Sequence, residues 1–231
     1  MSSFLIFPVF CGIILVGALL QLSFILVEHR EKYVPAVILK GLASVCFVIL
    51  GLLSFGICEN VKFGRMVLLG LIFGALGDIL LNLRFVVKEK AQPIFLAGIA
   101  AFLVGHILYL VALIPLATNP LLYAIIGLVL AAVLLTIIFK TFEVKIAFKI
   151  FGIFYIGAIS VMTVMAIGNF LALAGNINRI LYAVGALAFL ISDVVLIFNT
   201  FGKETKFGMR ITNLAFYYLG QILIALSILF I

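Results

Sequence analysis

Residues 64–83 read GRMVLLGLIFGALGDILLNL. Apart from Arg65 at its start and Asp78 and Asn82 near its end, the stretch is apolar or glycine, and Arg84 follows it. At about 1.5 Å of rise per residue, a helix of this length crosses a hydrocarbon layer roughly 30 Å thick. Gly70, Gly74, Asp78 and Asn82 recur at every fourth position, so helical winding gathers them into one small and polar stripe. An ionisable group at the centre of a membrane helix costs about 2.5–3.5 kcal/mol on insertion scales. The stripe is therefore expected to face protein, and Asp78 becomes a functional candidate.

Working outward, runs of the same kind lie near 4–27, 34–57, 93–114, 120–139, 146–168, 178–198 and 211–231. The whole chain is 67% hydrophobic and 10% charged, with a mean hydropathy of +1.47. A water-soluble fold places roughly a quarter of its residues in charged types, so a soluble core, a nucleic-acid binder and a disordered tail are all excluded. Only helices and closed barrels satisfy their backbone in lipid, and the alternation of barrel strands is absent. The expectation is an all-α polytopic membrane helix bundle: eight transmembrane helices in a single transmembrane domain spanning 1–231. The first run lacks a basic leader region, since the chain begins Met1-Ser2-Ser3, and meets no small-residue cleavage site before Glu28-His29-Arg30. It is expected to remain as a helix. Cys11, Cys46 and Cys58 share no metal-ligand spacing, and with two histidines in the chain neither a metal nor another cofactor is expected.

Of the 15 Lys and Arg residues, Arg30, Lys32, Lys40, Arg84, Lys88, Lys90, Lys140, Lys145, Lys149, Lys203, Lys206 and Arg210 fall on one set of alternate loops. Lys62, Arg65 and Arg179 fall on the other. The positive-inside rule makes the first set cytoplasmic and puts both termini on the non-cytoplasmic side, which an even helix count also requires. Compact loops and no retention signal favour a bacterial inner membrane over an endoplasmic reticulum.

The two halves of the chain, about 1–115 and 116–231, echo each other. Gly105-His106-Ile107-Leu108 returns as Gly220-Gln221-Ile222-Leu223, and the same shift of 115 residues carries Asp78 to Asp193, Lys88-Glu89 to Lys203-Glu204 and Glu28 to Glu143. Charged pairs at one offset are hard to obtain by chance in so apolar a chain. The expectation is two parallel four-helix repeats, with Asp78 and Asp193 at equal depth.

Asp78 lies six residues before Arg84 and Asp193 six before Asn199, which sets both ~9 Å inside the cytoplasmic boundary. Lys40, Tyr217 and Tyr218 reach a similar depth, with His106 and Gln221 deeper. Phe102, His106 and Tyr109 share a face of the fourth helix, and Tyr217, Tyr218 and Gln221 share one of the eighth. The third, fourth, seventh and eighth helices are thus expected to enclose a polar chamber with an acid from each half. Asn199 reads as a polar boundary residue. Two carboxyls in a low-dielectric chamber divide into a proton donor and a proton acceptor, a pairing that suits both acid-initiated hydrolysis and proton-coupled transport. No Gly-x-Ser-x-Gly, His-Glu-x-x-His or P-loop is present.

The ordered set Gly77-Asp78, Gly105-His106-Ile107-Leu108-Tyr109, Ser192-Asp193 and Tyr217-Tyr218-Leu219-Gly220-Gln221 resembles the YhhN-like lysoplasmalogenase family of eight-helix membrane proteins, over essentially the whole chain. One departure is Lys40-Gly41, where that family commonly shows Lys-Pro. The resemblance implies a hydrolase that cleaves the vinyl-ether bond of a lysoplasmalogen into a fatty aldehyde and a glycerophospho-base. Asp78 and Asp193 would be its acid–base pair, with their order left open. His106, Tyr109, Tyr217, Tyr218 and Gln221 would position water or the ether, and Asn82 would line the substrate site. Lys40 and Arg84 would hold the phosphate, and a lysophospholipid and membrane lipids are the partners expected. The alternative is a proton- or ion-coupled transporter using the two aspartates as coupling sites. Pro8, Pro35, Pro93, Pro115 and Pro120 lie near helix ends and do not mark the mid-membrane breaks that transporter sites often use. An inactive lipid-binding relative is a third reading.

Overall fold

The computed structural model describes residues 3–231, with side chains described from Phe7 onward. Met1 and Ser2, read above as part of a start without a basic leader region, lie outside the described residues. Eight long helices account for the fold: α1 (Ser3–His29), α2 (Tyr33–Phe55), α3 (Val61–Leu83), α4 (Ala91–Leu113), α5 (Pro120–Thr141), α6 (Ile146–Ala172), α7 (Ile177–Phe201) and α8 (Phe207–Ser227). Short 3-10 turns at Lys88–Lys90, Ile114–Leu116 and Ile228–Phe230 complete the elements, and no strand occurs among the described residues. All eight helices are long and apolar enough to cross a membrane, and the protein is a multi-pass membrane protein.

Helix ends follow local chemistry where the apolar runs did not resolve them. Asn60 caps α3 by accepting from the Phe63 amide at 3.1 Å, and Asn176 caps α7 by accepting from the Arg179 amide at 3.3 Å. Asn199, expected as a boundary residue, lies buried in the last turn of α7, where its side chain accepts from the Lys206 amide at 2.7 Å and closes the turn into α8. The α7 helix thus runs three residues beyond its apolar run, and α8 begins four residues before its own.

Close helix approach is set by glycine. With no hydrophobic drive between helices in lipid, packing depends on small residues that let backbones meet. A Cβ on Gly105 of α4 would sit 3.1 Å from the Gly70 carbonyl of α3, and one on Gly220 of α8 would sit 2.8 Å from the Gly185 carbonyl of α7. Each crossing therefore uses a glycine against a glycine carbonyl, and the two pairs stand 115 residues apart. Gly70, Gly74, Asp78 and Asn82 are all buried, so the stripe on α3 faces protein. Gly74 lies against the Gln221 side chain and Gly77 against the Phe102 ring. Lys40, Ala43, Ser44, Phe47 and Leu50 form the buried face of α2 toward α3 and α8. By contrast α5 buries only Gly127, Ala131 and Ile138.

Candidate functional site

The α3, α4, α7 and α8 helices expected around a chamber do line one cavity, together with residues of α2, α5 and α6. Its volume is about 120 Å³, room for several waters. Asp78 and Asp193 both line it, as do Lys40, Asn82, Arg84 and Tyr217. Phe95, Ile99, Phe102, Leu135, Ile138, Phe148 and Ile156 make most of its wall apolar. Arg84, Phe85, Val144, Phe201 and Arg210 carry the cavity to the ends of α3 and α7 and the start of α8. It therefore reaches the face of the bundle where the basic loops lie.

The two acids have unequal surroundings. Asp78, 4% exposed, has its Oδ1 3.4 Å from the Lys40 ammonium, while its Oδ2 accepts from Ser44 Oγ at 2.5 Å and from the Tyr217 hydroxyl at 2.7 Å. Asn82 donates to the Asp78 backbone carbonyl at 2.9 Å. Lys40 is equally buried and also donates to Gln21 Oε1 at 3.4 Å, with its ammonium 4.6 Å from the centre of the Tyr217 ring. Asp193, 3% exposed, accepts from a single side chain, the Tyr155 hydroxyl at 2.5 Å on Oδ2. Its Oδ1 has no hydrogen-bond partner among the described residues. Ser192 beside it is held through Asn213 Nδ2, which donates to its carbonyl at 2.9 Å and its hydroxyl at 2.8 Å.

Behind the wall runs a chain of hydrogen bonds with a fixed direction. Tyr109 donates to Gln221 Oε1 at 2.7 Å, Gln221 Nε2 donates to the Tyr217 oxygen at 3.2 Å, and Tyr217 in turn donates to Asp78. With its oxygen already accepting from Gln221, the Tyr217 proton points at the carboxyl. Tyr109 and Gln221 were expected in the chamber and are found behind Tyr217 instead. Tyr218 donates to the Ala43 carbonyl and ties α8 to α2. His106 also lies outside the lining. Its ring packs edge-on at 4.7 Å from Phe189 and 5.2 Å from Tyr155, and neither nitrogen has a hydrogen-bond partner among the described residues.

The cavity residues that the sequence did not single out include Tyr155 on α6 and Arg210 and Asn213 on α8. Tyr155 sits in an apolar run without a charge to mark it, yet the 115-residue shift places it at the position of Lys40. The partner of Asp78 and the partner of Asp193 thus occupy matching positions. Arg210 had been counted only as a topology marker. The arrangement offers a carboxyl among three donors, a second carboxyl with one, and room between apolar walls for a small reacting group with water. Among the described residues no cluster of His, Cys, Asp and Glu could hold a metal ion.

No curated protein and no solved structure matches the chain. A family model does: residues 35–228 match that of the YhhN family, which covers most of the sequence from α2 to the start of the last 3-10 turn. The chain belongs to the YhhN family.

Proposed function

We propose that the protein hydrolyses the vinyl-ether bond of a lysoplasmalogen to a fatty aldehyde and a glycerophospho-base, with Asp193 as the proton donor and Asp78 as the proton acceptor. The observation that carries this reading is the unequal supply of donors to two buried carboxyls on one cavity. A buried carboxylate needs paired charge and hydrogen bonds. Asp78 has Lys40, Ser44 and Tyr217 for that purpose. Asp193 has, among the described residues, the Tyr155 hydroxyl alone, so it is the member that keeps a proton, carried on Oδ1.

A vinyl ether resists nucleophiles and yields to protonation at its distal alkene carbon. Asp193 gives its proton to that carbon, the C=C pair forms the new C–H bond, and the ether oxygen shares the positive charge that results. Asp78 takes a proton from water as the water oxygen bonds to the cationic carbon, giving a hemiacetal. In the second half the roles reverse: Asp78 protonates the ether oxygen, the C–O bond breaks, and Asp193 recovers a proton from the hemiacetal hydroxyl. The products are an aldehyde and an alcohol, one water is consumed, and both acids regain their starting states. Lys40 serves as the counter-charge of Asp78. Tyr109, Gln221 and Tyr217 orient the donor that Asp78 receives, and Tyr155 fixes the orientation of Asp193.

The test uses purified protein in lipid vesicles with a lyso-vinyl-ether phospholipid and, as control, its saturated ether. The vinyl ether alone should yield aldehyde. In heavy water, aldehyde reduced at once to the alcohol should carry one solvent deuteron on the carbon next to the former carbonyl. Asp193→Asn and Asp78→Asn should each reduce turnover by about 10²-fold or more while each variant stays folded, with a cooperative thermal transition above the assay temperature. Near-normal turnover in both variants, or no aldehyde from the wild type, overturns the reading.

A further inference from the structure

Three cations line the cavity, and the structure disposes of them differently. Lys40 is committed to Asp78. Arg210 is committed to Glu28, its Nε and Nη2 reaching the two carboxylate oxygens at 2.9 and 2.5 Å. Arg84 has no such partner: no acceptor among the described residues takes a hydrogen bond from its guanidinium, and no carboxylate among them lies within ion-pair distance. Its guanidinium carbon instead lies 4.0 Å from the centre of the Phe95 ring and 4.6 Å from that of Phe85. Ring contacts of this kind stabilise a cation and leave in-plane N–H donors unused, and a guanidinium has five of them.

Charge at the mouth therefore does not cancel. Arg84 and Arg210 contribute two positive charges against one negative from Glu28. Burial, and secondarily the charge of Arg210, bring the Arg84 guanidinium down to about 10, which leaves it cationic at neutral pH. It sits at the C-terminal cap of α3, where the carbonyl end of the helix favours a cation. Arg84 follows Asp78 by six residues on the same helix, ~9 Å along the axis. In a glycerophospholipid a three-carbon bridge separates an ether oxygen at one end from the phosphate at the other, a span of the same order.

We infer that Arg84, with Arg210 beside it, forms an anion site at the mouth of the cavity and that its ligand is the phosphate group of a lysophospholipid head. The site rests on the hydrolase reading for the identity of the lipid and not for its chemistry, because a planar guanidinium with free donors is matched to phosphate oxygens whatever happens deeper in the cavity. Lys40, expected from the sequence to share this task, is paired with Asp78.

Binding without turnover tests the site. Wild-type protein in detergent is titrated with a saturated-ether lysophospholipid, with the matching alkyl glycerol lacking phosphate, and with inorganic phosphate alone. The phospholipid should bind at least about tenfold more tightly than the alkyl glycerol, a difference of about 1.4 kcal/mol. Arg84→Gln should remove most of that difference, and Arg84→Lys should restore part of it. Saturable binding of inorganic phosphate that Arg84→Gln abolishes would support the same anion chemistry and show that a free ion suffices. Equal affinities for phospholipid and alkyl glycerol, or a phosphate preference unchanged in Arg84→Gln with an unaltered thermal transition, overturn the inference. A protein that binds phospholipid through Arg84 yet releases no aldehyde would retain this site and lose the hydrolase.

Discussion

The ion pair between Lys40 and Asp78 makes a quantitative prediction. Both side chains are almost fully buried and their charged atoms lie 3.4 Å apart. With an effective dielectric constant of about 20, opposite unit charges at that separation attract by about 5 kcal/mol. Lys40→Met keeps much of the side-chain volume and removes the charge. Asp78 then retains Ser44 and Tyr217 as donors and can also escape by taking up a proton, which caps the loss. Removing one partner of a buried pair costs about 3–5 kcal/mol, while replacing both is close to neutral. We therefore expect Lys40→Met to destabilise the protein by about 3 kcal/mol, and Lys40→Met with Asp78→Asn to lie within about 1 kcal/mol of wild type. Reversible unfolding in mixed micelles of mild detergent and dodecyl sulfate, on wild type, both single variants and the double, closes the cycle. If the single losses are each below about 1 kcal/mol and simply add, the pair is not an energetic unit. The assignment of Asp78 as the charged member of the acid pair would then fall with it.

Tyr155→Phe removes the one donor that Asp193 has, so kcat for vinyl-ether hydrolysis should fall about tenfold, near the 1.4 kcal/mol of one hydrogen bond, with KM little changed; steady-state kinetics that show no loss in kcat refute the positioning role. Gly152 lines the cavity, and a Cβ added there meets nothing within 4 Å, so Gly152→Leu should fold with an unchanged thermal transition yet weaken binding of the saturated-ether lipid, and unaltered affinity would show that the lipid lies elsewhere. Gly220→Ala drives a methyl against the Gly185 carbonyl at 2.8 Å and the Phe189 amide nitrogen at 3.2 Å, for a loss of about 1–3 kcal/mol. Gly208→Ala, with open space around it, is the control, and equal thermal midpoints for the two variants would refute the close crossing of α7 and α8.

The architecture was legible because lipid imposes a coarse rule: only long apolar helices satisfy it, and the chain repeats that pattern eight times. Helix ends were less legible, since beyond the hydrocarbon they are decided by single hydrogen bonds such as that from the Lys206 amide to Asn199. For the site, intramembrane charge was a good pointer. Asp78, Asp193 and Lys40 stood out as costly, and all three line one cavity, which Arg84 at the membrane boundary also lines. Helical spacing served less well for uncharged groups. It put His106, Tyr109 and Gln221 on inward faces, but a face does not distinguish the lining of a cavity from the layer behind it. The Tyr155 phenol had no cost to betray it, and only the internal register would have pointed to it. Arg210 was masked because a basic residue near a membrane boundary already has an explanation in topology.

The modest hold on α5 has a consequence for access. Its middle touches α6 through Gly127, where an added Cβ would lie 2.5 Å from the Val161 Cα, while Leu135, Ile138 and Phe139 on the half beyond it wall the cavity. That half is a stave pinned at its waist. Sideways leaning of the stave would expose little polar surface, so under the proposed function it is where a greasy tail is expected to slip from the bilayer toward the acids without the rest of the bundle coming apart.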